Sequence, residues 1–134
     1  LIRSAEMTSL DGLYERSDVI SMHCPLNSQS QNMIDAAAIS KMKDGVIIIN
    51  TARGGVIDEK AVRDSLDSGK IKGYGADVLS SEPPSSDNPL IGAKNCYITP
   101  HIAWASREAR SRLMNIATEN VRCLLSGKIK NCVY

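Results

Sequence analysis

Three separated polar motifs carry the residues of this chain best suited to chemistry. They are Asn50-Thr51-Ala52-Arg53-Gly54-Gly55, Asp77-Val78-Leu79-Ser80-Ser81-Glu82-Pro83 and Thr99-Pro100-His101-Ile102-Ala103-Trp104. Each follows a short apolar run that reads as a strand, so Arg53, Glu82 and His101 fall just beyond strand ends. In an open parallel sheet, ligands bind at that edge. A guanidinium's planar fork pairs two oxygens with charge assistance. An imidazole exchanges a proton near neutrality, and a neighbouring carboxylate orients it and favours its charged form. Together these groups can hold an anionic carbonyl compound and hand it a proton.

The elements that must position them alternate helix and strand. Ser9 to Arg16 reads as a short amphipathic helix with Leu10, Leu13 and Tyr14 apolar, followed by a strand from Asp18 to His23. Asp35 is placed to cap a helix from Ala36 to Met42, and Lys43-Asp44-Gly45 turns the chain. Val46-Ile47-Ile48-Ile49 is continuous and β-branched, the pattern of a strand buried on both faces. Asp58 caps the next helix, which sets Ala61, Val62 and Leu66 on one face and ends at Gly69 as a left-handed cap. Ile71 to Val78 is a strand, Ser80 to Asn95 a long loop rich in Pro, Ser, Asp and Asn, and Cys96 to Thr99 a last short strand. A long helix from Ser106 to Ser126 carries a stripe of Leu113, Ile116, Ala117, Val121, Leu124 and Leu125, read as core packing. Gly127 closes it before a short tail, Lys128 to Tyr134.

Strands alternating with helices imply parallel βαβ units and an α/β fold. A complete dinucleotide fold opens with G-x-G-x-x-G between its first strand and helix. Gly54-Gly55 lacks that spacing, and Gly73-Tyr74-Gly75 lies inside a strand. If this is a dinucleotide fold, only its second half is present: the second half of a Rossmann-type doubly wound parallel sheet plus a C-terminal helix.

At 134 residues the chain is one domain or a piece of a larger one. Its 43% apolar and 23% charged residues are those of a globular protein. A net charge of +1 makes no electrostatic case for nucleic acid or an anionic membrane. The apolar runs are too short to cross a bilayer, and no basic-then-apolar segment opens the chain as a secretory signal would. Cys24, Cys96, Cys123 and Cys132 form no C-x-x-C pair and lack zinc-finger spacing. They read as reduced thiols of a cytoplasmic protein, with no metal site. With no Phe, the core must be built from Ile, Val, Leu, Ala and Met.

From about Leu10 to Val133 the chain resembles the D-specific 2-hydroxyacid dehydrogenases. Ser17-Asp18-Val19-Ile20 with His23-Cys24-Pro25-Leu26 is similar to that family's S-D-V-[IV]…H-x-P-L segment. Met42-Lys43-Asp44-Gly45 through Ile57-Asp58 resembles its long M-K-x-G…N-x-[AS]-R-G signature, and Asp77-Val78 to Glu82-Pro83 and Pro100-His101 complete the pattern. The stretch from Asp87 to Ala105, with Ala109 to Met114, is most like the glycerate dehydrogenases (hydroxypyruvate reductases).

The resemblance implies a two-domain enzyme whose front part is missing here. Residues 1–105 would be the C-terminal half of its NAD-binding domain, and 106–134 a helix and tail returning to the substrate domain. It implies that Arg53 binds the substrate carboxylate and carbonyl oxygen. His101 would be the proton donor in reduction and acceptor in oxidation, and Glu82 its orienting partner. Asp77 would accept a hydrogen bond from the nicotinamide carboxamide. Cys24, Pro25, Thr51 and Ala52 would line the cofactor pocket largely through backbone groups, with Arg53, His101 and Ala103 beside them; Thr51 could instead only cap its turn. Trp104 would either wall the substrate pocket or pack between domains, and His23 would make structural hydrogen bonds. The cofactor would be NAD, with NADP left open because the selecting residue lies upstream of Leu1. The expected reaction is reduction of hydroxypyruvate to D-glycerate and its reverse, in a homodimer. The alternatives are a reductase of glyoxylate or another 2-oxo acid, and a dinucleotide-sensing corepressor-like interaction protein.

Overall fold

A computed structural model describes residues 5–132, so the expected tail runs past the described residues at Val133 and Tyr134. The chain divides into two compact units, Leu1–His101 and Ile102–Tyr134. The first is an α/β unit built on four parallel strands in the order β1-β2-β3-β4. These are β1 (Val19–Met22), β2 (Val46–Asn50), β3 (Ile71–Ala76) and β4 (Cys96–Ile98). Helices α1 (Leu10–Arg16), α2 (Ala36–Lys41) and α3 (Glu59–Ser68) connect and cover them, with α1 against α2, α2 against α3 and α3 against β3.

The helices begin where side-chain caps are available. Ser9 Oγ accepts from the Gly12 N–H, Asp35 Oδ1 from Ala38 at 2.8 Å, and Asp58 Oδ1 from both Lys60 and Ala61 at 3.0 Å. Gly69 ends α3 in the left-handed region at φ 82°. Of the three apolar residues of α1, Tyr14 alone is buried; Leu10 and Leu13 stay exposed. On α3 the expected Ala61, Val62 and Leu66 are the buried ones.

The core joins Ile20 and Met22 of β1, Val46 and Ile48 of β2 and Ile71, Tyr74 and Ala76 of β3 to Ile34, Ile39, Val56, Val62 and Leu66. β2 departs from the sequence expectation. Val46, Ile48 and Asn50 are buried, but Ile47 and Ile49 are only half-buried. Successive strand residues face opposite sides, and only one side of β2 is fully covered. β3 ends two residues earlier than its pattern suggests. Beyond Ala76, the Asp77 N–H still donates to the Asn50 carbonyl at 3.0 Å, and Val78 and Leu79 stay buried as the chain leaves the sheet.

The second unit consists of α4 (Arg107–Leu125) and short flanking segments. Ser106 caps its start and Gly127, at φ 70°, follows its end. The stripe of Leu113, Ile116, Ala117, Val121, Leu124 and Leu125, expected as core, is exposed instead, and α4 buries no residue. The reason is that, among the described residues, this unit holds no second element to lay against it. No described helix is long and apolar enough to cross a membrane.

Candidate active site

The carboxyl ends of the strands gather the polar motifs. Asn50, the last residue of β2, is fully buried and shapes the turn that follows. Its Oδ1 accepts from the Ala52 N–H and its Nδ2 donates to the Arg53 carbonyl, both at 3.0 Å. A 3-10 turn then runs over Gly54–Val56. The segment before α2 holds it from the other side, with Asn32 N–H donating to Gly55 O and Ile34 N–H to Val56 O. Arg53 is thus presented by a turn tied down at both flanks. Its guanidinium is exposed and Nη1 donates to the Ala52 carbonyl at 2.7 Å.

The loop after β3 carries the carboxylate. Glu82 Oε1 accepts from the Leu79 N–H at 3.0 Å, and Oε2 lies 2.7 Å from His101 Nδ1. The His101 hydrogen bond, then the Leu79 N–H, hold the Glu82 carboxyl below the usual glutamate range, so it is ionised at neutral pH. An ionised carboxylate only accepts, so Nδ1 carries the proton in this pair. His101 itself follows β4 with its backbone in the left-handed region, φ 54°. Non-glycine residues held there are uncommon and strained, and they concentrate at functional sites. Its N–H reaches the Asp77 and Thr99 carbonyls at 2.9 and 3.0 Å, which fixes this conformation.

Arg53, Glu82 and His101 line one cavity of about 220 Å³, with Leu26, Gly54, Gly55, Val78, Leu79 and Ser80. Glu82 and His101 also border a second, more apolar cavity of about 310 Å³ that includes Asp77, Ile98 and Thr99. Asp77 is buried at the end of β3 and its Oδ1 accepts the Thr99 hydroxyl.

The remaining expected residues are spread more widely. Cys24 and Ala52 are half-buried against the core, Pro25 spends its carbonyl on the Ser30 hydroxyl at 2.6 Å, and Thr51 is exposed. All four lie at the carboxyl edge of the sheet but outside the linings of both cavities. Ala103 and Trp104 belong to the second unit. His23 pairs with the Ser21 hydroxyl at 2.8 Å, a local structural bond. All four cysteines are free thiols.

Three site residues escaped the sequence reading. Leu26 was visible as the end of the H-x-P-L segment, but nothing local placed it beside Arg53. Thr99 meets Asp77 only because β4 pairs with β3. Glu59, in the first turn of α3, reads locally as a helix-start acid, yet it bonds Ser80 and Asn88 in the loop that carries Glu82.

Comparison with known proteins places this arrangement. The family described as D-isomer specific 2-hydroxyacid dehydrogenase, NAD binding domain, matches residues 2–103. A hydroxypyruvate reductase of Blautia hydrogenotrophica is 52% identical over 124 residues, covering 92% of this chain and 38% of that protein. A glycerate dehydrogenase of Methylorubrum extorquens is 43% identical over 129 residues, covering 95% and 41%. The crystal structure of a D-lactate dehydrogenase from Aquifex aeolicus, complexed with NAD and lactic acid, superposes with a TM-score of 0.80 at 36% identity, covering 90% of this chain and 40% of that one. The chain thus spans about two-fifths of the length of these relatives. With the family match running through the parallel sheet and ending beyond His101, the chain belongs to the D-isomer specific 2-hydroxyacid dehydrogenases, as part of their NAD-binding domain.

Proposed function

We propose that this chain supplies the substrate-facing half of the cofactor domain, and the catalytic groups, to an enzyme that reduces hydroxypyruvate to D-glycerate and runs the reverse reaction. The observation that carries the reading is the His101–Glu82 pair at 2.7 Å on the wall of the cavity that Arg53 also lines. Arg53 pairs the substrate carboxylate and its neighbouring carbonyl oxygen, which orients the carbonyl and stabilises the charge that grows on its oxygen. His101 gives a proton to that oxygen during reduction and takes it back during oxidation. Glu82 holds Nδ1–H and fixes the orientation of the ring, so the exchanging nitrogen is Nε2.

The cofactor is NAD or NADP. The fit is carried by Asp77, a buried carboxylate at a strand end, which suits a carboxamide N–H, with the Thr99 hydroxyl fixing one of its oxygens. Cys24, Pro25, Thr51 and Ala52 would contribute backbone surface. A bound nicotinamide supplies or accepts the hydride at the substrate's 2-carbon. The choice of hydroxypyruvate follows the hydroxypyruvate reductase and glycerate dehydrogenase relatives. The enzyme acts as a cytoplasmic homodimer, a reading that rests on the family resemblance and the four free thiols.

The test is NADH oxidation by the full-length protein containing this chain, with hydroxypyruvate, glyoxylate and pyruvate compared. Hydroxypyruvate should give the highest kcat/KM, and His101→Ala should lower kcat by about 100- to 10,000-fold. Cofactor binding without turnover on any of the three acids would sink the reading.

A further inference from the structure

Glu59 opens α3 directly after its cap, and the cap does not need it. Asp58 alone satisfies the Lys60 and Ala61 N–H groups. The Glu59 side chain spends both oxygens on the loop after β3 instead. Oε1 accepts from the Ser80 N–H at 2.8 Å, and Oε2 accepts from the Ser80 hydroxyl at 2.7 Å and from Asn88 Nδ2 at 2.8 Å. These are charge-assisted bonds, about twice as strong as neutral ones.

Ser80 sits between Leu79, whose N–H holds Glu82 Oε1, and Glu82 itself. The same segment also rests on Gly54. A Cβ at Gly54 would lie 1.9 Å from the Leu79 carbonyl carbon and 2.3 Å from the Ser80 nitrogen, so backbone meets backbone there. The loop that aims Glu82 is therefore held both by the Glu59 carboxylate and by the turn that presents Arg53.

An acid in the first helical turn ordinarily serves the helix dipole. That role needs only a charge near the helix start, and it does not account for both oxygens being taken by a loop 21 and 29 residues further along the chain. We propose that Glu59 is a positioning residue of the active site: by holding Ser80 through its main-chain N–H and its hydroxyl, it fixes the loop that aims Glu82 at His101. This rests on the reading of His101 as the proton donor.

The experiment compares wild type with Glu59→Gln, Ser80→Ala and Asn88→Ala in the full-length protein. The Glu82 side-chain carboxyl is followed by carbon-13 NMR against pH, its signal identified by loss in Glu82→Gln. Removing the Glu59 charge would by itself lower the Glu82 midpoint, because Glu59 and Glu82 carry like charges. A looser loop does the opposite, since it weakens the His101 and Leu79 bonds that hold the midpoint down.

A rise of the midpoint in Glu59→Gln, a smaller rise in Ser80→Ala and none in Asn88→Ala supports the proposal. An unmoved or lowered midpoint in folded Glu59→Gln overturns it, whatever happens to activity. Should Glu59→Gln fail to fold, Ser80→Ala decides by the same sign. On activity, Glu59→Gln should lower kcat about tenfold and leave the KM for cofactor unchanged. Wild type without turnover would defeat the functional reading alone, because the carboxyl titration still decides the role of Glu59.

Discussion

The Glu82–His101 pair links protonation to folding as well as to chemistry. Glu82 faces His101, the Leu79 N–H and, less favourably, the Asp77 carboxylate. Its carboxyl is held below its unfolded value, so the stability it contributes is fully present above the ordinary glutamate range and is lost as pH falls through the folded midpoint. Its side chain is 37% exposed, which keeps the effect small. Glu82→Gln should therefore unfold at lower urea concentration than wild type at pH 7, and the two midpoints should converge as pH falls through the folded midpoint of Glu82, below the ordinary glutamate range. Two unfolding series against pH check this, and a difference that persists in acid would point to packing rather than charge.

At the scale of elements, the site depends on two loops meeting without side chains between them. Gly54 starts the 3-10 turn and is buried against the Leu79–Ser80 backbone. Here the glycine is required by the close approach. Gly54→Ala should destabilise the fold by about 1–3 kcal/mol, the usual range for an overpacked site. It should also cost activity in the full-length enzyme, because the turn bearing Arg53 and the loop bearing Glu82 must separate. Urea unfolding beside kcat/KM measures both. Normal stability with normal activity would show that the turn can shift freely. Gly55 is more tolerant, since a Cβ there would meet the flexible end of Leu26 at 3.0 Å.

At the scale of the whole molecule, the chain carries part of the proposed reaction site. It spans 38% of the Blautia hydroxypyruvate reductase and 41% of the Methylorubrum glycerate dehydrogenase, and has no G-x-G-x-x-G segment to cradle a pyrophosphate. Ile47 and Ile49 of β2 remain half-exposed, and α4 buries nothing. This chain by itself should show no NADH oxidation with hydroxypyruvate under conditions where the full-length protein turns over. Turnover by the chain alone would mean that Arg53, Glu82 and His101 suffice with whatever cofactor surface they carry.

What the sequence by itself determined is what short range dictates. The caps at Ser9, Asp35 and Asp58 and the left-handed stop at Gly69 could be read locally, because each bond spans three or four residues. So could the parallel α/β class, from strands alternating with helices, and the placement of Arg53, Glu82 and His101 beyond strand ends, where they line one cavity. The tertiary structure decided the rest. Glu59 reaches Ser80 and Asn88, Thr99 reaches Asp77, and Leu26 comes to the Arg53 cavity, across separations that no local pattern encodes. It also decided burial. An apolar stripe states that a helix face can be covered, and whether it is covered depends on a counter-face, which α4 lacks within its own unit.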